Sequence, residues 1–291
     1  MKPAAFKYHD PQTVAEVVDL LGHLENNKLL AGGQSLGPML NFRYVMPDHL
    51  IDLNRVAELD FLRVNEGRIE IGAMTRQRTL ERSVELRRAC PIFADALHWV
   101  GHFQTRNRGT IGGSLSHLDP SAELPGICAL HDATLIVQGP SGAREVPMAD
   151  WTEGYMTAAL APDELLTSIR LAGWDRAHGW AFLEMARRHG DFAMAGAACL
   201  MSLNANGTIA RVALMLLGIQ YAPVRLREAE ELLIGQTPNE DLFKAAVARA
   251  TQVEASDDAH VSSGYRKRLA GVLTGRVLHI AAQRAKGEMN V

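Results

Sequence analysis

The chain of 291 residues contains only three cysteines, Cys90, Cys128 and Cys199, and no CxxC pair. Three widely scattered thiols without a CxxC spacing argue against a structural zinc, and they fall short of the four thiolates of an ordinary [2Fe–2S] cluster, so no metal centre is expected within this chain. They read as reduced, buried, small apolar residues. No apolar run approaches the ~20 residues of a membrane-spanning helix, so no membrane insertion is expected. The opening MKPAAFKYHDPQT lacks the apolar core and small-residue cleavage site of a secretory signal, which points to a cytoplasmic location. Neither sign of charge dominates. With a net charge of −3 and interspersed acids and bases, the chain carries no electrostatic footprint for nucleic acid or an anionic membrane. GxxxxGKS/T, GxGxxG and HExxH are all missing, which disfavours a P-loop NTPase, a dinucleotide-binding Rossmann domain and a zinc metalloprotease.

What is present is globular. A composition of 47% hydrophobic and 22% charged residues suits a soluble protein, and the length exceeds what one hydrophobic core usually serves, so two domains are expected. The apolar pattern lapses around AGWDRAHGW, which puts the boundary near residue 175 and the domains at 1–175 and 176–291. Thr13 followed by Glu16 forms a capping box, and Val14, Val17, Val18 and Leu21 share one face, so a helix is predicted from about 13 to 24. KLLA and HLIDL (49–53) read as strands around it. Residues 61–73 and 133–148 read as hairpins, and 164–171 as a strand. Helical patterns over 76–100 are interrupted at Pro91. Residues 104–125 consist almost wholly of turn and cap chemistry, and a loop of that length is usually functional. Beyond the boundary WAFLEMARR, FAMAGAACLMSLN and TIARVALMLLGI suggest three strands, the last two joined at Asn206-Gly207. Helices at about 225–234 and 263–285 follow.

Two glycine loops carry the chemistry. In KLLAGGQSLGPML the apolar run stops at Gly32-Gly33, followed by Gln34, Ser35 and a helix start. Glycine permits positive φ and close approach of the backbone, and bare amides at a helix N-terminus are suited to a phosphate; an ordinary tight turn between strand and helix reads the same way. The second loop, GTIGG at 109–113, repeats the pattern with the hydroxyls of Thr110 and Ser114 alongside. Two such grips in one domain favour an extended anionic ligand such as a dinucleotide pyrophosphate. Asp119, just before Pro120, stands where a helix should begin; it can accept from sugar or ribityl hydroxyls, cap the helix, or do both.

AGGQSL (31–36) and RNRGTIGGSLSHLDPSAE (106–123) resemble the two FAD-binding loops of the medium, flavoprotein subunits of molybdenum hydroxylases, the family of xanthine dehydrogenase, carbon monoxide dehydrogenase and bacterial hydroxylases of N-heteroaromatic compounds. FKYHDPQTVAEVVDLL, DELLTSIRL and ARRHGDFAMAGAA are similar to family segments too, so the resemblance spans almost the whole chain. It implies an α+β fold: a PCMH-type FAD-binding domain of two α+β subdomains, then a smaller C-terminal domain with a three-stranded antiparallel sheet and helices. It would put Ala31, Gly32, Gly33, Gln34, Ser35 and Leu36 on noncovalent FAD, with Thr110, Ile111, Gly112, Gly113 and Ser114, and Asp119 on FAD hydroxyls. Relatives that read ANADP or AHADP differ from SHLDP here at Ser116 and Leu118. His117 reads as a surface or capping histidine. Asp191 would be a positioning residue and Phe192 a flavin neighbour, although Phe192 reads equally as a core residue of a strand; Arg187 and Arg188 read as a solvated charge pair.

The resemblance assigns this chain no catalytic side chain and no metal. It implies electron transfer through FAD to NAD⁺, oxygen or another acceptor. The molybdenum cofactor would lie in a large partner subunit and the [2Fe–2S] clusters in a small one, in a heterotrimer or its dimer, and an N-heteroaromatic substrate is the expectation for the complex. The rival readings are a stand-alone FAD oxidase or dehydrogenase and a nucleotide-binding module without redox function.

Overall fold

The computed structural model describes residues 1–65 and 67–288, so Glu66, in the turn of the expected 61–73 hairpin, and the last three residues of the second domain lie outside the described residues. The first unit comprises β1 (Lys7–His9), α1 (Val14–His23), β2 (Asn27–Leu30), α2 (Leu36–Asn41) and β3 (His49–Asp52). The Thr13 hydroxyl accepts from the Glu16 amide at 3.2 Å as expected, while the Glu16 carboxylate accepts from the Gln12 amide at 2.7 Å, one residue before the Thr13 amide that a capping box takes. Val17 and Leu21, one turn apart on the buried face, hold α1 against Ile51 of β3. β3 is the central strand, parallel to both β1 and β2.

The second unit is built on the antiparallel sheet β4-β5-β10-β6-β7. Its elements in chain order are β4 (Leu62–Asn65), β5 (Arg68–Gly72), α3 (Gln77–Arg82), α4 (Val84–Ala89), α5 (Ile92–Trp99), α6 (Phe103–Arg108), α7 (Ile111–His117), α8 (Glu123–Leu130), β6 (Thr134–Gly139), β7 (Gly142–Pro147), β8 (Thr152–Gly154), β9 (Thr157–Ala158) and β10 (Leu165–Ala172). The long loop expected over 104–125 is largely helical. α6, α7 and the start of α8 are helices of six to eight residues, too short to be stable alone, and they form because tertiary contacts fix their ends. The Ile111 and Gly112 amides, for instance, donate to Thr75 and Ala73 rather than within a helix. Fully buried Trp151 locks α7 to the sheet by donating from its indole nitrogen to the Leu115 carbonyl at 2.8 Å.

The third unit has the three expected strands, β11 (Gly179–Met185), β12 (Ala195–Leu203) and β13 (Ile209–Leu217), with the two-residue edge strand β14 (Val224–Arg225) added, followed by α9 (Arg227–Leu233), α10 (Glu240–Gln252) and α11 (Ser263–Ala285). β12 reads as an unbroken apolar run because both of its faces are covered. Alternate residues divide between two cores. Ala198, Leu200, Ala213, Met215 and Leu217 join the core of the second unit, while Ala197, Cys199, Met201, Leu214 and Leu216 pack with α9, α10 and α11. Close approach requires a glycine here: a Cβ on Gly179 would overlap the Ala281 carbonyl of α11, where backbone and not a flexible side chain would have to yield. Arg225 ties the second and third units by donating to the Ala129 and Leu130 carbonyls, each at 2.9 Å, while its other nitrogens hold the buried Glu230 carboxylate.

Candidate functional site

β2 ends at Leu30, and Gly33, with φ +70°, turns the chain into α2. Gly32 is buried against the second loop; a Cβ there would overlap the Arg108 carbonyl and lie 2.8 Å from Gly109 Cα. Its bareness therefore serves contact between the two loops. Among the described residues, the amides of Gly32, Gly33, Gln34 and Ser35 donate to no protein acceptor, while the Gly33 and Ser35 carbonyls accept from Gly37 and Met39 as α2 begins. Gln34 and Ser35 are exposed, and the Gln34 side chain donates to the Gly32 carbonyl at 3.2 Å. Residues 33–37 also have the GxSxG spelling of a hydrolase nucleophile elbow, which the glycine-rich run hides. Among the described residues the Ser35 side chain forms no hydrogen bond to a histidine and no cap hydrogen bond, so the base that a nucleophilic serine needs is not paired with it.

The second loop is engaged differently. Thr110 is the N-cap of α7, its hydroxyl accepting from the Gly113 amide at 3.0 Å. The amides of Ile111, Gly112 and Ser114 donate to Thr75, Ala73 and Thr110 carbonyls, so this loop lacks the run of bare amides that its composition suggests. Its glycines fit the chain to itself: a Cβ on Gly112 would lie 2.6 Å from Ala73 Cβ, and one on Gly109 2.8 Å from Gln77 Cδ. The two loops are neighbours, for a Cβ on Gly113 would stand 3.5 Å from Ala31 Cβ. Asn54 and Arg76 brace them. Asn54 Nδ2 donates to the Ala31 carbonyl at 3.0 Å, and the Arg76 guanidinium donates to the Arg108 carbonyl and to Asn54 Oδ1. Burial, together with nearby Arg108, lowers the Arg76 pKa. A polar recess of about 280 Å³, bordered by Asn54, Arg55, Asp60 and Arg76, opens beside the braces. No sequence signal marked Asn54 or Arg76, which act through side chains brought together from separate elements.

α7 carries the chain ~10 Å from Thr110 toward Asp119. Leu118, in the left-handed region at φ 49°, ends the helix. Asp119 does not cap the next one. Its carboxylate accepts from the Ser121 amide at 2.9 Å in an Asx turn, and α8 starts only at Glu123 behind Ala122. Ser121 Oγ donates to the Ala193 carbonyl at 2.8 Å, which brings Asp119 alongside the loop that carries Asp191 and Phe192. That loop joins β11 to β12, so Phe192 lies outside the strand and is 73% exposed rather than in the core. Arg187 and Arg188 are exposed and each stands 3.8 Å from the Asp191 carboxylate, one oxygen of which is buried and accepts no hydrogen bond. The Arg pair is thus a charge pair for Asp191. Half-buried His117 has its pKa lowered by desolvation.

Two carboxyls nearby carried no sequence signal. Glu184, on β11, has a buried oxygen without a hydrogen-bond partner, and burial with nearby Glu123 raises its pKa to about 8. Desolvation raises Glu123, in the first turn of α8, to about 7. Cys90, Cys128 and Cys199 are buried, with thiols raised by desolvation. No group of three or more metal-ligating side chains and no helix long and apolar enough to cross a membrane occurs among the described residues.

A parallel βαβ unit and an antiparallel sheet unit meet at two abutting glycine loops, with uncommitted amides in one and a carboxylate at the far end of a short helix, an arrangement suited to an extended anionic ligand. Residues 4–172 match the family described as the FAD binding domain in molybdopterin dehydrogenase, and residues 180–281 match the CO dehydrogenase flavoprotein C-terminal domain. The chain belongs to this family and is an FAD-binding oxidoreductase subunit of the molybdenum hydroxylase type. Among its relatives, the 6-hydroxypseudooxynicotine dehydrogenase complex subunit alpha of Paenarthrobacter nicotinovorans is 36% identical over 98% of this chain and 97% of its own. The carbon monoxide dehydrogenase medium chain of Hydrogenophaga pseudoflava is 34% identical over 97% and 98%. The solved structure of quinoline 2-oxidoreductase from Pseudomonas putida 86 superposes with a TM-score of 0.93 at 34% identity, covering 98% of this chain and 99% of that one.

Proposed function

We propose that this chain holds FAD noncovalently and passes electrons from [2Fe–2S] clusters in a small partner subunit to NAD⁺, oxygen or another acceptor. A large subunit with the molybdenum cofactor completes a cytoplasmic heterotrimer or its dimer, and an N-heteroaromatic compound is the substrate of the complex. Relatives named for 6-hydroxypseudooxynicotine and quinoline support that substrate class. The family matches end at residue 172 and resume at 180, which supports a domain boundary near 175.

The observation that carries the reading is the run of uncommitted amides at residues 32–35 beside the Thr110 loop. Four donors without acceptors fit a pyrophosphate. When bound, FAD supplies the two-electron and one-electron redox chemistry. The chain's own residues then bind and orient. Ala31 to Leu36 form the grip on the pyrophosphate, with the amides of residues 32–35 as its backbone donors. Thr110, Ile111, Gly112, Gly113 and Ser114 shape the adjoining wall, with the Ser114 hydroxyl as its polar contact. Asp119 accepts from hydroxyls of the cofactor. Asp191 positions the loop on which Phe192 presents an aromatic face to the ring system and limits water access.

The visible spectrum of the chain expressed alone, recorded before and after acid precipitation, tests this. Yellow protein that releases free FAD into the supernatant is expected; colourless folded protein that takes up no added FAD would refute the proposal. Bleaching by substrate without partner subunits would refute the division of labour and favour a stand-alone oxidase.

A further inference from the structure

We propose that Arg266 and Asp258, remote from the glycine loops in sequence, form a positioning clamp that sets how the loops at 119–121 and 191–194 present themselves to the flavin; the inference rests on the FAD reading above. Arg266, in the first turn of α11, is 6% exposed. Its Nη1 donates to the Met194 carbonyl at 2.7 Å and also to the Gly218 carbonyl, and its Nη2 pairs with Asp258 Oδ2. Each of the two carbonyls leads to a loop assigned to the cofactor. Met194 follows directly on Asp191, Phe192 and Ala193, and its amide closes the loop onto Met185 at 2.8 Å. Gly218 donates to the Pro120 carbonyl at 2.9 Å, and the next residue, Ser121, donates to Ala193 at 2.8 Å. One guanidinium thus closes a ring of hydrogen bonds that runs through Gly218, Pro120, Ser121, Ala193 and Met194.

The junction leaves little slack. Gly218 adopts φ +69°, and a Cβ there would stand 3.1 Å from the Ala193 carbonyl and 3.3 Å from that of Met194. Asp258 holds the guanidinium from the other side. Its Oδ1 accepts from the His260 and Val261 amides at 2.7 and 2.8 Å, which keeps the carboxylate ionised and fixes Oδ2 toward Arg266. A buried guanidinium with two carbonyls and one carboxylate is a rigid planar fork, which an ammonium cannot reproduce. The clamp touches no reacting atom. It acts by fixing the two backbone segments whose side chains, Asp119 and Asp191 with Phe192, are assigned to FAD.

The full-length chain, purified with FAD, tests the clamp through Asp258→Asn, Arg266→Lys and Arg266→Met. Asp258→Asn retains an oxygen for the His260 and Val261 amides but turns a donor toward Arg266, and it alters a side chain that is 46% exposed, so the fold survives. The expected results are a ~10-fold weaker Kd for FAD, equivalent to ~1.4 kcal/mol, and altered visible circular dichroism and midpoint potential of the bound flavin. Arg266→Lys should fall between the wild type and Arg266→Met. The inference is overturned if Asp258→Asn and Arg266→Lys keep wild-type FAD affinity, dichroism and potential, or if they only lower the melting temperature. If Arg266→Met does not fold, Asp258→Asn decides. A wild-type chain that never binds FAD overturns the cofactor reading itself, whereas yellow wild type with unaltered variants overturns the clamp alone.

Discussion

Glu184→Gln should stabilise this protein at alkaline pH and leave it unchanged in acid. Glu184 lies 7% exposed on β11, with one carboxylate oxygen buried and unpartnered. Burial, with Glu123 beside it, raises its pKa from 4.5 to about 8. Between those values the folded state binds a proton that the unfolded chain has released, so stability falls as pH rises across the window and levels off above it. At ~1.36 kcal/mol per pH unit the full rise is worth at most about 5 kcal/mol. Glu123 carries part of that cost, which leaves an effect on the order of 3 kcal/mol for removing the Glu184 charge. A glutamine keeps the volume and the donor of the protonated acid without the charge. In a chain of this size the melting temperature should rise by roughly 6 to 10 °C at pH 9, the gain shrinking through pH 8 and 7 and vanishing near pH 5. Scanning fluorimetry across that series reads it directly. A variant no more stable than wild type at pH 9, or one whose advantage grows toward acid, would refute the argument.

Three further outcomes follow from the packing. Gly32→Ala drives a Cβ into the Arg108 carbonyl, where backbone rather than a flexible side chain must yield; it should cost at least ~2 kcal/mol of stability and abolish FAD uptake, read by equilibrium unfolding and by flavin content. Thr110→Ala removes the cap of α7 and should cost about 1 kcal/mol in urea unfolding while the protein still folds. Arg225→Met removes the bidentate partner of buried Glu230, which keeps the Leu214 amide at 2.7 Å and Arg227 at 3.5 Å, and frees the Leu130 carbonyl at the junction of the second and third units; it should cost about 2–3 kcal/mol, and a loss below ~1 kcal/mol would show that the units cohere without this tie.

Local chemistry was legible in the residues themselves. Thr13 and Glu16 announced α1, the hairpins at 61–73 and 133–148 followed from their alternating strands, and Asn206-Gly207 marked the link between β12 and β13, because each signal needs only neighbours a few residues away. The two glycine loops were also legible, together with the family they resemble. Their division of labour was not. That Gly32, Gly109 and Gly112 fit the chain to itself, and that only the first loop keeps its amides uncommitted, depends on Arg108, Gln77 and Ala73 arriving from other elements. Helices of six to eight residues over 103–130 escaped the sequence because propensity cannot stabilise so few turns, whereas packing can. Asp119 left its expected capping place for an Asx turn, and Phe192 left the strand for an exposed loop, since Ser121 and Ala193 join segments 72 residues apart. Sequence by itself determined which backbone could bend and which helix could start. The tertiary structure alone decided which donors were left without acceptors, because an amide is free only after every possible partner has been placed.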